Sequence, residues 1–256
     1  MEKAPHSGEV RMSFMEHLVE LRQRLVKSVI AVCIGFGAAY TFAERLFGFL
    51  TIPYNQAYRE VFHREAKLVN TGLIEPFLVY LKVGMMAGVF LASPFIFYQL
   101  WQFVAPGLRP QERKHVVPFV LLASLFFIGG ALFGYFGVFP IGFKYFLSVA
   151  PAGYVDPLIR MDEYYRLAAW MMVVFGLVFE GPLIVLYLVY FGIIQTHHLV
   201  RNWRGIIVGI AVASALLTPA DPGSMIMMAI PLTILYGITI LLSLFLSRRS
   251  TSAAKG

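Results

Sequence analysis

Three carboxylates in this chain sit where chemistry is possible: Glu180, Glu20 and Glu112. Glu180 lies in "FGLVFEGPLIV" (175–185), inside an uncharged run from 167 to 194. A charged group at the centre of such a run costs about 3 kcal/mol or more in lipid, so it faces protein or water and is a functional candidate. Pro182, two residues on, withholds the helical donor from the Val178 carbonyl, so the acid is expected beside a kink and a wet notch. Glu180 is therefore read as an intramembrane polar site. Two chemistries are open to it, a polar contact or a proton carrier.

Glu20 and Glu112 belong to charged borders instead. In "SFMEHLVELRQRL" (13–25), Phe14, Leu18, Leu21 and Leu25 recur at helical spacing, with Glu16, Glu20 and Arg24 on the opposite face. Ser13 and Glu16 match a capping box. This is an amphipathic helix leading into a membrane. Its plainer account is an interfacial anchor with a Glu20–Arg24 pair at i,i+4. In "APGLRPQERKHVVP" (105–118), Pro110 suits the first turn of a helix, and Glu112 then favours the macrodipole. Two carboxylates at one interface also suit a ligand carrying two guanidinium groups, because arginine binds carboxylate bidentately.

The elements that must position these acids are membrane spans. The 256 residues are 59% hydrophobic and 14% charged, which excludes a disordered or ordinary soluble chain. Six apolar runs read as transmembrane helices: 26–43, 76–104, 116–139, 167–191, 205–217 and 225–246. The fifth is too short for a core of about 30 Å, which calls for local thinning or burial among neighbours. Residues 1–25 form a cytoplasmic and interfacial segment, 26–247 the bundle and 248–256 a tail, in one polytopic domain (1–256) with two sizeable loops on the far side. No cleavable signal peptide is expected before the first span.

Orientation follows from the basic residues. Of the 21 Lys and Arg, thirteen fall on the side of the termini and seven on the other, with Lys82 inside the second span. Both termini are therefore expected in the cytoplasm. Trp101, Trp170 and Trp203 are each expected near a helix end, at an interface. The net charge of +7 lies in short loops, a membrane pattern rather than a nucleic-acid footprint.

Prolines and small residues shape the spans. Pro94, Pro182 and Pro231 fall inside expected helices. Gly205, Gly209 and Ala213 repeat at i,i+4,i+8, a face that lets another helix approach closely in lipid or that packs internally on the sixth span.

Signals for catalysis are weak. The one cysteine, Cys33, makes no intrachain disulfide and no cysteine metal site. All six histidines lie outside the apolar runs, so no membrane serine has a histidine to activate it. There is no phosphate-binding loop. No enzyme activity, metal or cofactor is expected, and work must come from a membrane gradient or a partner.

The chain resembles the TatC family, the receptor subunit of the twin-arginine protein translocase. The matching stretches are "HLVELRQRL" (17–25), "PFIFYQLWQFVAPGL" (94–108) with "ERK" (112–114), "FEGP" (179–182) and "LLTPADP" (216–222). The resemblance implies an all-α membrane protein of six helices in a concave, glove-like bundle. It would capture the twin-arginine signal peptide of folded cargo at its cytoplasmic face, in the bacterial or archaeal cytoplasmic membrane. Partners would be TatA and TatB-type single-span proteins, further copies of the chain in a receptor complex, and lipid. Transport would draw on the proton-motive force. Glu20, Glu112 and Phe103 would bind the signal. Thr218 and Asp221 would mark the turn near the partner-docking site, beside Gly205, Gly209 and Met225. Pro53 would match a structurally important proline, with Pro94 and Pro182 also structural. The chain departs from some members at Met225, where they carry a glutamine, so the polar contact there is not carried over. The alternatives are a proton-coupled small-solute transporter using Glu180, though no paired half-sequences support one, and a structural scaffold in which Glu20 and Glu112 are replaceable.

Overall fold

The computed structural model describes residues 14–105, 116–149, 157–217 and 222–253. The regular elements there are helices: α1 (Phe14–Tyr40), α2 (Ala43–Phe62), α3 (Glu75–Val104), α4 (Val116–Phe133), a π-helical stretch (Gly134–Val138), α5 (Phe139–Val149), α6 (Met161–Tyr190), α7 (Thr196–Arg201), α8 (Trp203–Leu217) and α9 (Pro222–Ala253). The six spans are α1, α3, α4 with its continuation through α5, α6, α8 and α9. The 15 residues of α8 reach only about 22 Å, so it remains the short one.

The amphipathic segment and the first span are one continuous helix, α1. The capping serine, Ser13, lies outside the described residues. Helix α1 packs along α3, and two glycines set their separation. A Cβ on Gly35 would come within 2.7 Å of the Gly88 carbonyl oxygen, and one on Gly88 within 2.6 Å of the Phe36 nitrogen. Helices α4 and α6 cross the same way. A Cβ on Gly130 would meet the Phe175 carbonyl at 2.6 Å, and one on Gly176 the Phe127 ring at 2.8 Å. In lipid such close backbone approach replaces the hydrophobic drive between helices.

Among the described residues, the two loops expected on the far side are largely helical, which corrects the sequence reading. Helix α2 turns 84° away from α1 and carries Leu50, Pro53, Tyr54, Ala57 and Tyr58 on its buried face. Leu50, Tyr54, Ala57 and Tyr58 join Tyr135, Phe139, Phe143, Tyr164 and Tyr165 in one aromatic-rich core at that end of the bundle. Charges at Glu44, Arg45, Arg59 and Glu60 hid this face, although its i,i+4 spacing was present. Helix α5 carries the third span on past its expected end at 139, into the expected second loop, and packs on α2.

Backbone carbonyls freed by two of the prolines find partners. Pro53 leaves the Phe49 carbonyl without its helical donor, and the Tyr135 hydroxyl donates to it at 2.5 Å. Pro94 frees the Phe90 carbonyl, and the adjacent Ser93 hydroxyl donates to it at 2.8 Å. Helix α6 ends in a Schellman motif: Gly192 takes φ +70°, its N–H donates to Val189, and the Ile193 N–H donates to Leu188.

Trp203 opens α8 and is exposed, and Trp101 lies near the end of α3, as expected, but Trp101 is buried and Trp170 is not near a helix end. Trp101 is 4% exposed and packs among Phe119, Tyr187 and Phe191. Trp170 lies well inside α6, because that helix begins at Met161 rather than near 167. Its indole N–H donates to the Leu217 carbonyl at 3.1 Å, closing the end of α8.

Candidate functional site

The amino-terminal part of α1 and the carboxy-terminal part of α3 lie side by side, and two site residues meet there. Glu20 is on α1. Phe103 is on α3 and stacks on the His17 ring, one turn before Glu20, with centroids 4.2 Å apart and planes 17° from parallel. One turn back along α3 from Phe103 is Gln99, buried at 4% exposure. Arg24 bridges the helices. Its Nη2 donates to Glu20 Oε1 at 3.0 Å and its Nη1 to Gln99 Oε1 at 3.2 Å. The expected Glu20–Arg24 pair is thus formed. Glu20 Oε2 is buried, and no donor among the described residues reaches it. A carboxylate with one oxygen in use and one open can take a guanidinium or ammonium donor.

Gln99 and His17 were not singled out from sequence. The signal for Gln99 was available: a polar residue in an otherwise apolar run must be satisfied where it is buried. His17 gave none, since an interfacial histidine is ordinary. An apolar groove of about 460 Å³ continues from this cluster along α1 and α3, lined by Lys27, Ile30, Ile34, Leu91 and Phe95. Glu112 lies outside the described residues.

Glu180 occupies a different place. It is 7% exposed in α6, beside the main chain of Phe127 in α4, and its Oε1 has no donor among the described residues. Seven residues on, about 10 Å along the helix, Tyr187 touches Trp101. The acid does not line the notch beside Pro182, which corrects the expectation that joined them. Two residues are about 200° apart around a helix, so Pro182 faces away from it.

Pro182 lines a separate open groove of about 390 Å³ between α6, α8 and α9, with Gly209, Ile210, Ala213, Tyr236 and Thr239. A Cβ on Gly205 or Gly209 would meet nothing within 4 Å. The small-residue face is therefore open and not packed internally. Met225, in the first turns of α9, is half-buried, while Thr218 and Asp221 lie outside the described residues. Pro53 is buried in α2, and Pro94 is exposed in α3. Among the described residues no group of three or more His, Cys, Asp or Glu could hold a metal ion.

Comparison with known proteins bears on this architecture. The family model for TatC, Sec-independent protein translocase protein, matches residues 16–231. A Sec-independent protein translocase protein TatC of Desulforapulum autotrophicum is 45% identical over 233 residues, covering 91% of this chain and 84% of the relative. Its counterpart in Magnetococcus marinus is 41% identical, with the same shares covered. A crystal structure of the twin arginine translocase receptor TatC is 35% identical, covers 91% of this chain and all of that one, and gives a TM-score of 0.75. A second, of the receptor in DDM, is 36% identical, covers 89% and 99%, and gives 0.77. The family is one of translocase components, not catalysts, which disfavours a small-solute carrier. By sequence and by fold, the chain belongs to the TatC family of Sec-independent protein translocase proteins.

Proposed function

We propose that this chain is the receptor of a twin-arginine translocase, binding the twin-arginine signal peptides of folded cargo through Glu20, Glu112 and Phe103. The observation that carries the reading is Glu20: a part-buried carboxylate with one buried, open oxygen, on a membrane-border helix beside a stacked His17–Phe103 platform. Its open oxygen suits one arginine of the pair, and Glu112 would take the other. The excess of basic residues on the side of the termini supports cytoplasmic termini and a place in the cytoplasmic membrane of a bacterium or archaeon. TatA and TatB-type single-span proteins would dock along α8 and α9, near Gly209 where the groove is open and at Met225 in the first turns of α9. Further copies of the chain would share the receptor complex, and the proton-motive force would drive transport.

The test is photo-crosslinking of a twin-arginine peptide to the full chain in membrane vesicles, with a twin-lysine peptide as control. Crosslinking specific to the arginine pair is expected, and the Glu20→Ala, Glu112→Ala double variant should lose it while still inserting. A wild-type thermal melt of the inserted double variant would exclude unfolding as the cause of the loss. Unchanged crosslinking in the double variant would reject the site.

A further inference from the structure

We infer that Arg24 and Gln99 set how tightly the Glu20 carboxylate takes a guanidinium, with Arg24 acting as a built-in competitor for the ligand's arginine. This rests on the proposed reading of Glu20 as a guanidinium acceptor. Arg24 divides its fork between two acceptors, Glu20 Oε1 at 3.0 Å and Gln99 Oε1 at 3.2 Å, while Glu20 Oε2 stays buried and open. The Glu20 and Arg24 side chains are 15% and 24% exposed, so water screens their pairing only in part.

An incoming guanidinium meets one free oxygen. To bind through both prongs of its fork it must displace Arg24 from Oε1. Arg24 is tethered beside that oxygen, so it competes at high effective concentration. Gln99 makes the exchange feasible. The displaced Arg24 keeps one hydrogen bond to the Gln99 side chain, so no guanidinium is left buried without an acceptor. One cation replaces another on the same carboxylate, and the local charge after the swap exceeds the starting state only by that of the ligand.

Lysine fares differently. Its ammonium is a point charge without a fork. It can occupy Oε2 and leave Arg24 on Oε1, so it pays no displacement cost. The competitor therefore penalises arginine more than lysine, and it tempers the fit of the carboxylate to its preferred ligand.

The experiment titrates arginine-pair and lysine-pair signal peptides against the full chain in membrane vesicles, by photo-crosslinking, at matched chain levels. Arg24→Gln should strengthen arginine-pair binding most and widen the arginine-over-lysine preference by roughly tenfold, the worth of one charge-assisted hydrogen bond. Arg24→Lys should fall between, and serves if the glutamine variant inserts poorly. Gln99→Leu should weaken the arginine pair most, because a displaced Arg24 then has no second acceptor. In the Arg24→Gln background, Gln99→Leu should add nothing. Equal weakening of both peptides by Arg24→Gln would overturn the inference and leave Arg24 as a support for Glu20. So would a Gln99→Leu penalty that persists without Arg24. Glu20→Gln separates the two levels. If it leaves arginine-pair crosslinking intact, the receptor reading of Glu20 fails. If it removes crosslinking while Arg24→Gln leaves the preference unmoved, only the competitor fails.

Discussion

The Tyr135 hydroxyl donates to the Phe49 carbonyl at 2.5 Å, and that carbonyl is free because Pro53, four residues on, has no N–H to offer. The rings of Tyr135 and Phe49 also stack, with centroids 4.6 Å apart. A proline in α2 and a tyrosine in the π-helical stretch are thereby a matched pair, 82 residues apart in the chain.

Removing that hydroxyl should expose the match. Tyr135→Phe keeps the stack but leaves a buried acceptor unsatisfied, which costs about 1–3 kcal/mol. Thermal unfolding in detergent should show a lower midpoint. In a Pro53→Ala background the helical N–H returns, and the same substitution should cost much less. An equal loss in both backgrounds would show that the carbonyl is not what the hydroxyl serves.

The crossing of α1 and α3 should be intolerant at Gly88. Its Cβ position is 2.6 Å from the Phe36 nitrogen, a backbone atom that cannot swing aside. Gly88→Val should destabilise by about 1–3 kcal/mol or prevent insertion. Gly48 is exposed within α2, with nothing within 4 Å of a Cβ. Gly48→Ala should stabilise by about 0.5–1 kcal/mol. Wild-type melting of Gly88→Val would mean that the helices lie farther apart.

Glu180 should respond to shape and polarity rather than to charge. Glu180→Gln keeps hydrogen bonding in a buried site and should retain much of the export of a folded twin-arginine reporter. Glu180→Leu should lose more. A proton carrier would make both variants equally inactive, since glutamine cannot titrate. Full export by the leucine variant at matched membrane levels would dismiss both roles.

The groove between α6, α8 and α9 should accept a side chain without harm to the fold. Gly209→Leu projects into open space. It should reduce co-purification of a single-span partner while leaving signal-peptide crosslinking near wild type. Parallel loss of both would point to misfolding instead.

Sequence alone determined the membrane class, the six spans and the Glu20–Arg24 pair, because these follow from hydropathy over about 20 residues and from i,i+4 spacing within one helix. It also carried the family resemblance, through motifs that are local in the chain. Only the tertiary structure decided which partners those local elements meet. Helix α2 was hidden because its apolar face is buried by residues far away, among them Tyr135 and Tyr164, and no local pattern names them. Gln99 stood in plain view, yet its role depends on Arg24, 75 positions away in the chain. Glu180 and Pro182 are neighbours in sequence and face different ways in space, because a helix turns about 100° per residue. Spacing within an element is written in the chain, while the contacts between elements are set by how close their backbones come, at Gly35 on Gly88 and at Gly130 on Phe175.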